Sequence, residues 1–516
     1  MERSDSHSTE SPKWWQSGVV YQIYPRSFAD SNGDGVGDLQ GIRSRLDYLE
    51  WLGVHVLWLS PVFRSPMRDF GYDVSDYCDI DPVFGTLADM DALIADCHAR
   101  GIRLMLDWVP NHSSSDHPWF VESRRDRTNP KADWYVWRDE PVNNWLAAFP
   151  AGDRAWSFDP GREQWYLRCF LPEQPDLNWD NPDIEAAMHE TLRFWLDRGV
   201  DGFRMDVVHL IGKQLDANDP DTAVERGYSH VTFNDVPVTH ERLRGIRRVL
   251  DSYAGDRACV GEVYLLDEAR MAEYYGHGDE LQLSFNFSFL WAEWDAAILR
   301  AKVLATLNHL RTRNAWPTWV LSNHDVTRHR QRYGGSEAVA RMAAVMLLTL
   351  PGTPFLYMGE ELGLVDAEVP PDRVVDVDGR DGCRAPLPWT PTPDHGWPHD
   401  PWLPFVAAAD ECNVATLRER PGSVLHLYRD LLRLRHEHPE LQIGEFTMIE
   451  RDDNVLAYER SLGDRIFTIA LNLSDSPSRL EIASDHRVLL ATVPFDPSMP
   501  FDGMLPPQSA LISTGT

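Results

Sequence analysis

Eight short runs rich in Val, Ile and Leu recur along the chain, at 19–24, 54–59, 103–106, 202–205, 258–263, 281–285, 318–321 and 355–358. Segments of helical period separate them. Leu87, Met90, Leu93, Ile94 and Cys97 share one helical face after the second run, and Ile184, Ala187, Met188, Thr191, Phe194 and Trp195 do so before the fourth. A doubly wound sheet alternates in the same way, so the count carries the argument. Eight strand–helix units within one chain predict an α/β fold of the (β/α)8 TIM-barrel type.

Two stretches interrupt the alternation. From 109 to 181 the helical pattern gives way to Trp, Pro, Asn and Asp. This is too long for an ordinary connection and predicts an inserted, loop-rich domain after strand 3. A second insertion, 361–421, is rich in Pro, Gly and Asp and follows the eighth run, on the face where barrel enzymes hold their active sites. A helix over 423–438 is expected to close the barrel. Beyond it, Val455, Ala457, Ile466, Thr468, Ala470 and Asn472 alternate, the mark of a small antiparallel β domain. The expected divisions are a disordered tail at 1–13, a barrel of 14–108 and 182–440, an inserted domain at 109–181 and a C-terminal β domain at 441–516.

Composition excludes several classes. Eighty Asp and Glu against 49 Lys and Arg give a formal charge of −31, which argues against nucleic-acid binding, since that draws on clustered bases. The longest apolar candidate, 343–358, is broken by Pro351, Gly352 and Pro354, so no membrane span is expected. The opening residues lack the apolar core of a secretory signal, and six scattered cysteines show no metal-type spacing. These features predict a cytoplasmic protein with reduced thiols. Twenty Trp suit a large core, a sugar-stacking surface, or both; Trp14, Trp15, Trp58 and Trp195 read as core.

Barrel active sites collect residues from the ends of different strands. Run three ends in Asp107-Trp108-Val109-Pro110-Asn111-His112, and run four contains Arg204-Met205-Asp206. Run five contains Glu262, and run seven leads into Asn323-His324-Asp325. Carboxylates from several strand ends thus face one place, with Arg204, His112 and His324 beside them. Singly, each acid is a helix cap or an arginine partner; together they repel, and a fold tolerates that for function or metal. Paired carboxyls across a pocket are what glycoside hydrolysis needs, one ionised towards the anomeric carbon and one protonated towards the leaving oxygen. Arg204, two residues before Asp206 in a period-two element, points the same way and is expected to keep Asp206 ionised. That ionised neighbour in turn is expected to keep Glu262 protonated. Asp107 reads as a structural partner, and His117, His209 and His277 as solvated or satisfied.

With these motifs, the opening Val20-Tyr21-Gln22-Ile23-Tyr24-Pro25-Arg26-Ser27-Phe28 and Gln174-Pro175-Asp176-Leu177-Asn178, the chain resembles the α-amylase clan of retaining α-glycosidases. Within it, the resemblance is to the α-glucosidase and oligo-1,6-glucosidase group, from about Trp14 into the C-terminal domain. The resemblance implies Asp206 as nucleophile, Glu262 as general acid and base, and Asp325 as transition-state stabiliser. It implies that His112 and His324 hydrogen-bond the non-reducing glucose and that Asp69, Tyr72 and Arg384 close the far end of the pocket. Tyr72 is expected to stack on the sugar, and Phe170 and Gln174 to come from the inserted domain. The substrate expected is a small neutral sugar, taken by a monomer or homodimer.

Asp30, Asn32, Asp34 and Asp38, with the Val36 carbonyl, follow the first nine positions of an EF-hand-type loop, with Gly35 at the turn. The twelfth position, Gly41, is not the bidentate Glu, and no EF-hand helix precedes the loop. The related enzymes hold structural Ca²⁺ here, so Ca²⁺ is expected, with Mg²⁺ as the alternative and no organic cofactor. The resemblance favours an exo-acting α-glucosidase. Val207 resembles the α-1,6 enzymes, whereas Val208-His209 and Cys383-Arg384-Ala385-Pro386 depart from them, leaving α-1,4 slightly favoured. Glucosyl-transferring relatives (trehalose synthase, sucrose isomerase, transglucosylase) share the nucleophile and form the second reading. A non-catalytic, transporter-associated relative is the remote third.

Overall fold

The computed structural model describes residues 11–150, 152–219, 235–450, 454–480, 486–494 and 501–515. Of the expected tail, residues 1–10 lie outside the described residues. The barrel strands are β1 (Val20–Ile23), β2 (Val56–Leu59), β3 (Arg103–Trp108), β4 (Gly202–Met205), β5 (Ala258–Gly261), β6 (Leu283–Ser284), β7 (Thr318–Val320) and β8 (Thr353–Tyr357). They form one parallel sheet in the order β6-β5-β4-β3-β2-β1-β8-β7. The pairing of β1 with β8 wraps the sheet into a nearly closed (β/α)8 barrel. No β6–β7 ladder forms among the described residues, and β6 is the short member, with two residues.

These strands are buried on both faces, which is why their sequences read as apolar runs without polar alternation. Period two divides the faces. Val20, Val56, Trp58, Met105, Val260, Val320 and Phe355 fill the lumen, while Tyr21, Ile23, Leu57, Leu59 and Leu106 meet the surrounding helices. The register sets Val20 beside both Val56 and Phe355, so inward residues stack in layers. Above this apolar plug the inward residues turn polar: Gln22, Asp107 and Arg204 are all buried, and Asp107 pairs in register with Arg204.

The helices are built from local signals. α1 (Leu87–Ala99) starts at Thr86, which shares a capping box with Asp89, and buries Met90, Leu93, Ile94 and Cys97. α2 (Pro182–Asp197) has Asn181 as its cap, Pro182 in its first turn, and Asp183 and Glu185 at its positive end. α3 (Pro237–Asp251), α4 (Ala296–Arg311) and α5 (Glu337–Thr349) follow. α6 (Val424–Glu437), capped by Ser423, comes last in the barrel.

Residues 109–181 carry a three-stranded sheet of Trp137–Arg138, Gln164–Leu167 and Trp156–Asp159. At the C-terminus, β9 (Glu445–Ile449), β10 (Val455–Leu462), β11 (Arg465–Asn472), β12 (Arg487–Ala491) and β13 (Ser509–Gly515) make an antiparallel sheet in the order β9-β10-β11-β13-β12. Both faces of this sheet are apolar. Leu456, Tyr458, Phe467 and Ile469 join the main core, while Val455, Ala457, Ala470 and Leu511 form a second one. The Tyr458 hydroxyl hydrogen-bonds Thr349 at the end of α5, at 2.6 Å. This explains the apolar run around 343–358: α5 is covered all round. No helix among the described residues is long and apolar enough to cross a membrane.

Candidate active site

Arg204 organises the site. Its Nη1 donates to Asp206 Oδ1 at 2.7 Å and Asp107 Oδ1 at 2.9 Å, and its Nη2 donates to Glu262 Oε2 at 2.6 Å. Three carboxyls from the ends of β3, β4 and β5 therefore converge on one buried guanidinium.

The electrostatics differ from the sequence reading. Burial pushes Asp206 well above the usual carboxylate range; Arg204 opposes this, and Glu262 and Asp107 reinforce it. The Arg204 contact is there, but one cation divided among three acids does not outweigh their burial. Asp107 is pushed up to about 7, by burial first, with Arg204 opposing. Asp325 goes the other way. Burial would raise it, but His324, Arg380, Arg384 and Arg204 together hold it below the usual range. Arg380 Nη1 and Arg384 Nη2 each bind its Oδ1 at 3.2 Å.

The chain turns sharply after the β4 acid. Val207 has φ 35° and ψ 43°, a left-handed conformation that is costly for a β-branched residue. The turn aims the Val207 N–H at Glu262 Oε2, 3.2 Å away, so the strained peptide is tied to the acid pair.

These groups lie at a cavity of about 550 Å³. Asp69, Tyr72, His112, Phe170, Asp206, Glu262 and Asp325 line it. His324 lies behind the wall: its ring stacks on Tyr72 at 5.5 Å and 2°, and its Nε2 is 2.6 Å from the Tyr72 hydroxyl. One face of Tyr72 is thus already covered by an imidazole. Gln174 supports the wall through Asp69 Oδ2 at 3.0 Å and His112 Nε2 at 3.2 Å. Arg384 is fully buried and donates to the His324 carbonyl at 2.8 Å. The arginine on the cavity wall is instead Arg380, whose Nη2 binds Asp69 Oδ1 at 3.0 Å and Asp376 Oδ1 at 2.6 Å. Both arginines belong to one short Arg-Asp-Gly-Cys-Arg segment, and the 3-10 turn Asp381–Arg384 decides which reaches the cavity.

Sequence reasoning passed over further lining residues. His209 is buried, pairs with the Glu262 carbonyl at 3.1 Å and is lowered to about 4 by burial. Tyr264 and Trp291 stand at the exposed end, with the indole N–H donating to the phenol oxygen at 3.0 Å. Phe149 and Ala148 come from the inserted segment and Asp378 from the late loop, so both insertions wall the cavity. The following residue types after β5 and β6 are ordinary, and only the curvature of the barrel brings them together. His117 caps the helix Pro118–Ser123.

The loop over 30–38 offers only oxygen donors, the chemistry of a hard cation. Its acids here face loop amides: Asp30 accepts from Gly33 N at 2.7 Å and Gly35 N at 2.9 Å, and Asp34 from Val36 N at 2.9 Å. Asp38 accepts from Ser31 N and, as a helix cap, from Gly41 N. Asn32 Oδ1 accepts from Asp34 N. Among the described residues no group of three or more His, Cys, Asp or Glu side chains converges as a metal cluster. The donor types fit a calcium-like ion, since each of these oxygens keeps a further lone pair.

A parallel barrel that gathers paired carboxyls at the C-terminal ends of its strands defines a barrel glycosidase, and the chain belongs to the alpha-amylase family. The model of the alpha amylase catalytic domain matches residues 22–444. The chain is 42% identical over 506 residues to a Rhizobium meliloti (strain 1021) protein described as "Probable alpha-glucosidase", covering 91% of each. It is 38% identical over 517 residues to the oligo-1,6-glucosidase of Parageobacillus thermoglucosidasius, covering 90% of this chain and 91% of that one. Among solved structures it is similar to an alpha-glucosyl transfer enzyme, XgtA, with a TM-score of 0.90 and 40% identity, over 98% of this chain and 100% of that one.

Proposed function

We propose that the protein is a retaining, exo-acting α-glucosidase that releases terminal non-reducing glucose from short α-glucosides. The observation that carries this reading is the single guanidinium holding Asp206 and Glu262 side by side at the cavity wall. Carboxyls that share one guanidinium are close neighbours, the arrangement expected of retaining glycosidases, in which the pair stands about 5 Å apart without a water between acid and base. Asp206 attacks C1 while Glu262, as the general acid, gives its proton to the leaving oxygen. C1–O(aglycone) breaks and C1–O(Asp206) forms. Water then attacks C1, Glu262 takes its proton, and Asp206 leaves. Asp325, held ionised by two arginines, faces the positive charge that develops on the ring. A cavity walled by two insertions suits an exo mode, where an open cleft would suit an endo one.

The test is a rate panel on maltose, isomaltose, sucrose, trehalose and an aryl α-glucoside, with products identified. Released glucose with α-configuration at early times supports the reading; no cleavage of any member would overturn it. α-1,4 linkage is favoured slightly over α-1,6. The likeness to a glucosyl transfer enzyme motivates a second reading, in which a sugar replaces water as acceptor; longer oligosaccharides or isomerised disaccharides as main products would establish it. The 30–38 loop is proposed to hold structural Ca²⁺ through Asp30, Asn32, Asp34, Asp38 and the Val36 carbonyl, away from the chemistry. Six unpaired cysteines support a reducing, cytoplasmic setting.

A further inference from the structure

Gln22 is fully buried on β1, and its amide nitrogen contacts His324 Nδ1 at 2.7 Å and Ser60 Oγ at 3.0 Å. An amide nitrogen only donates, so the Nδ1 it meets is a bare lone pair. The proton of a neutral imidazole then sits on Nε2, which lies 2.6 Å from the Tyr72 oxygen and 3.3 Å from Asp325 Oδ2. Tyr72 in turn donates to Asp107 Oδ2 at 3.1 Å. Every donor in this line points the same way, from Gln22 through His324 and Tyr72 to Asp107. The opposite amide orientation would give Gln22 Oε1 the partner it otherwise lacks, but with the proton on Nδ1 a bare Nε2 would face the Asp325 carboxylate at 3.3 Å with no proton between them.

From this geometry we infer that Gln22 is a positioning residue that sets the tautomer of His324, and through it the orientation of Asp325 and Tyr72 on the cavity wall. The inference rests on the glucosidase reading only for its kinetic consequence. Other groups around the ring cannot substitute for Gln22. Tyr24 stacks on it and Trp58 meets its edge. Arg204, Arg380 and Arg384 are nearby cations, and Asp325 and Asp107 lie on the Nε2 side. None of these is hydrogen-bonded to Nδ1. Burial lowers His324 to about 3, with Asp325 opposing, so the ring is neutral and the position of its one proton matters.

Gln22→Glu tests this with almost no change in shape. A carboxylate accepts, so Nδ1 must now carry a proton. At low pH the ring becomes an imidazolium and keeps its Nε2 proton; as pH rises the Nε2 proton is lost and Nδ1 retains its own. The ratio of variant to wild-type kcat/KM is therefore expected to fall with rising pH, on the order of 10²-fold, the usual cost of losing one preorganised donor. A ratio that stays flat with pH marks a merely structural defect and overturns the inference. The second measurement needs neither activity nor the variant. In wild-type protein labelled with ¹⁵N-histidine, with the His324 signal identified by its loss in His324→Gln, a pyrrole-type Nε2 and pyridine-type Nδ1 are expected. The reverse assignment overturns the inference. If no α-glucoside is cleaved, the spectrum still decides the tautomer, so the two readings fail separately.

Discussion

Asp206, Glu262 and Asp325 follow β4, β5 and β7, yet each has a different environment, and single substitutions separate them. Asp206→Ala removes the proposed nucleophile, and kcat on maltose is expected to drop on the order of 10⁴-fold or more; full retained activity would sink the mechanism. Glu262→Gln removes the proposed proton donor and keeps the shape. Its loss is expected to be large on disaccharides and much smaller on an aryl α-glucoside, whose leaving group departs without a proton; steady-state rates on both substrates check this. Asp107 makes a prediction about stability. It is raised from 3.8 to about 7 in the folded protein, so folding favours its protonated form. That contribution is complete below pH 4 and is lost as pH rises towards 7 and past it. Asp107→Asn should flatten this part of the slope, seen as a smaller change of Tm between pH 5 and pH 8 than in the wild type. The identity of these acids was legible as strand-end motifs. Their protonation was not, because it depends on three of them sharing Arg204.

One scale up, the loop and helix after β1 show how little freedom the glycines leave. A Cβ on Gly41 would meet the Ala29 carbonyl oxygen at 1.9 Å, a backbone atom that cannot swing aside. Gly41→Ala is therefore expected to destabilise the protein by about 2 kcal/mol or more, read as a lower unfolding midpoint in urea. This gives the absent twelfth-position ligand a physical reason: a glutamate there has no room. The proposed ion in the same loop predicts that a chelator lowers Tm by several degrees and that added Ca²⁺ restores it, since an ion bound only to the native state stabilises it. An unchanged Tm would count against the ion. The spacing of Asp30, Asn32 and Asp34 was visible in the chain; the way their carboxylates turn onto loop amides was not.

At the scale of the whole molecule, the C-terminal β domain is anchored to the barrel by buried cations. Arg460 donates to the carbonyls of Thr349, Leu441, Gln442 and Gly444, and Arg435 to those of Leu348, Gly352 and Leu441. Among the described residues no carboxylate bonds either of them; backbone oxygens at the ends of α5 and of the helix Pro439–Ile443 do the work of counter-charge. Arg460→Ala would take this donor from the buried carbonyls of Thr349, Gln442 and Gly444 and leave Leu441 to Arg435 alone, at a cost of about 3 kcal/mol or more, with a Tm loss shared by barrel and β domain in one transition. Neither arginine could be picked out beforehand, because nothing in a strand or helix pattern marks a cation that will be capped by carbonyls. The barrel itself was readable, because a strand covered on both faces must be apolar throughout and a helix over it must carry one apolar stripe. So were the acids, since the end of each such run is where a barrel opens. What the chain alone left undecided is every relation between residues far apart in sequence: Arg380 in place of Arg384 on the cavity wall, His209 beside Glu262, Trp291 on Tyr264, Gln22 behind His324. Local patterns depend on a residue's near neighbours along the backbone, whereas these contacts depend on the barrel closing and on where its long loops come to rest.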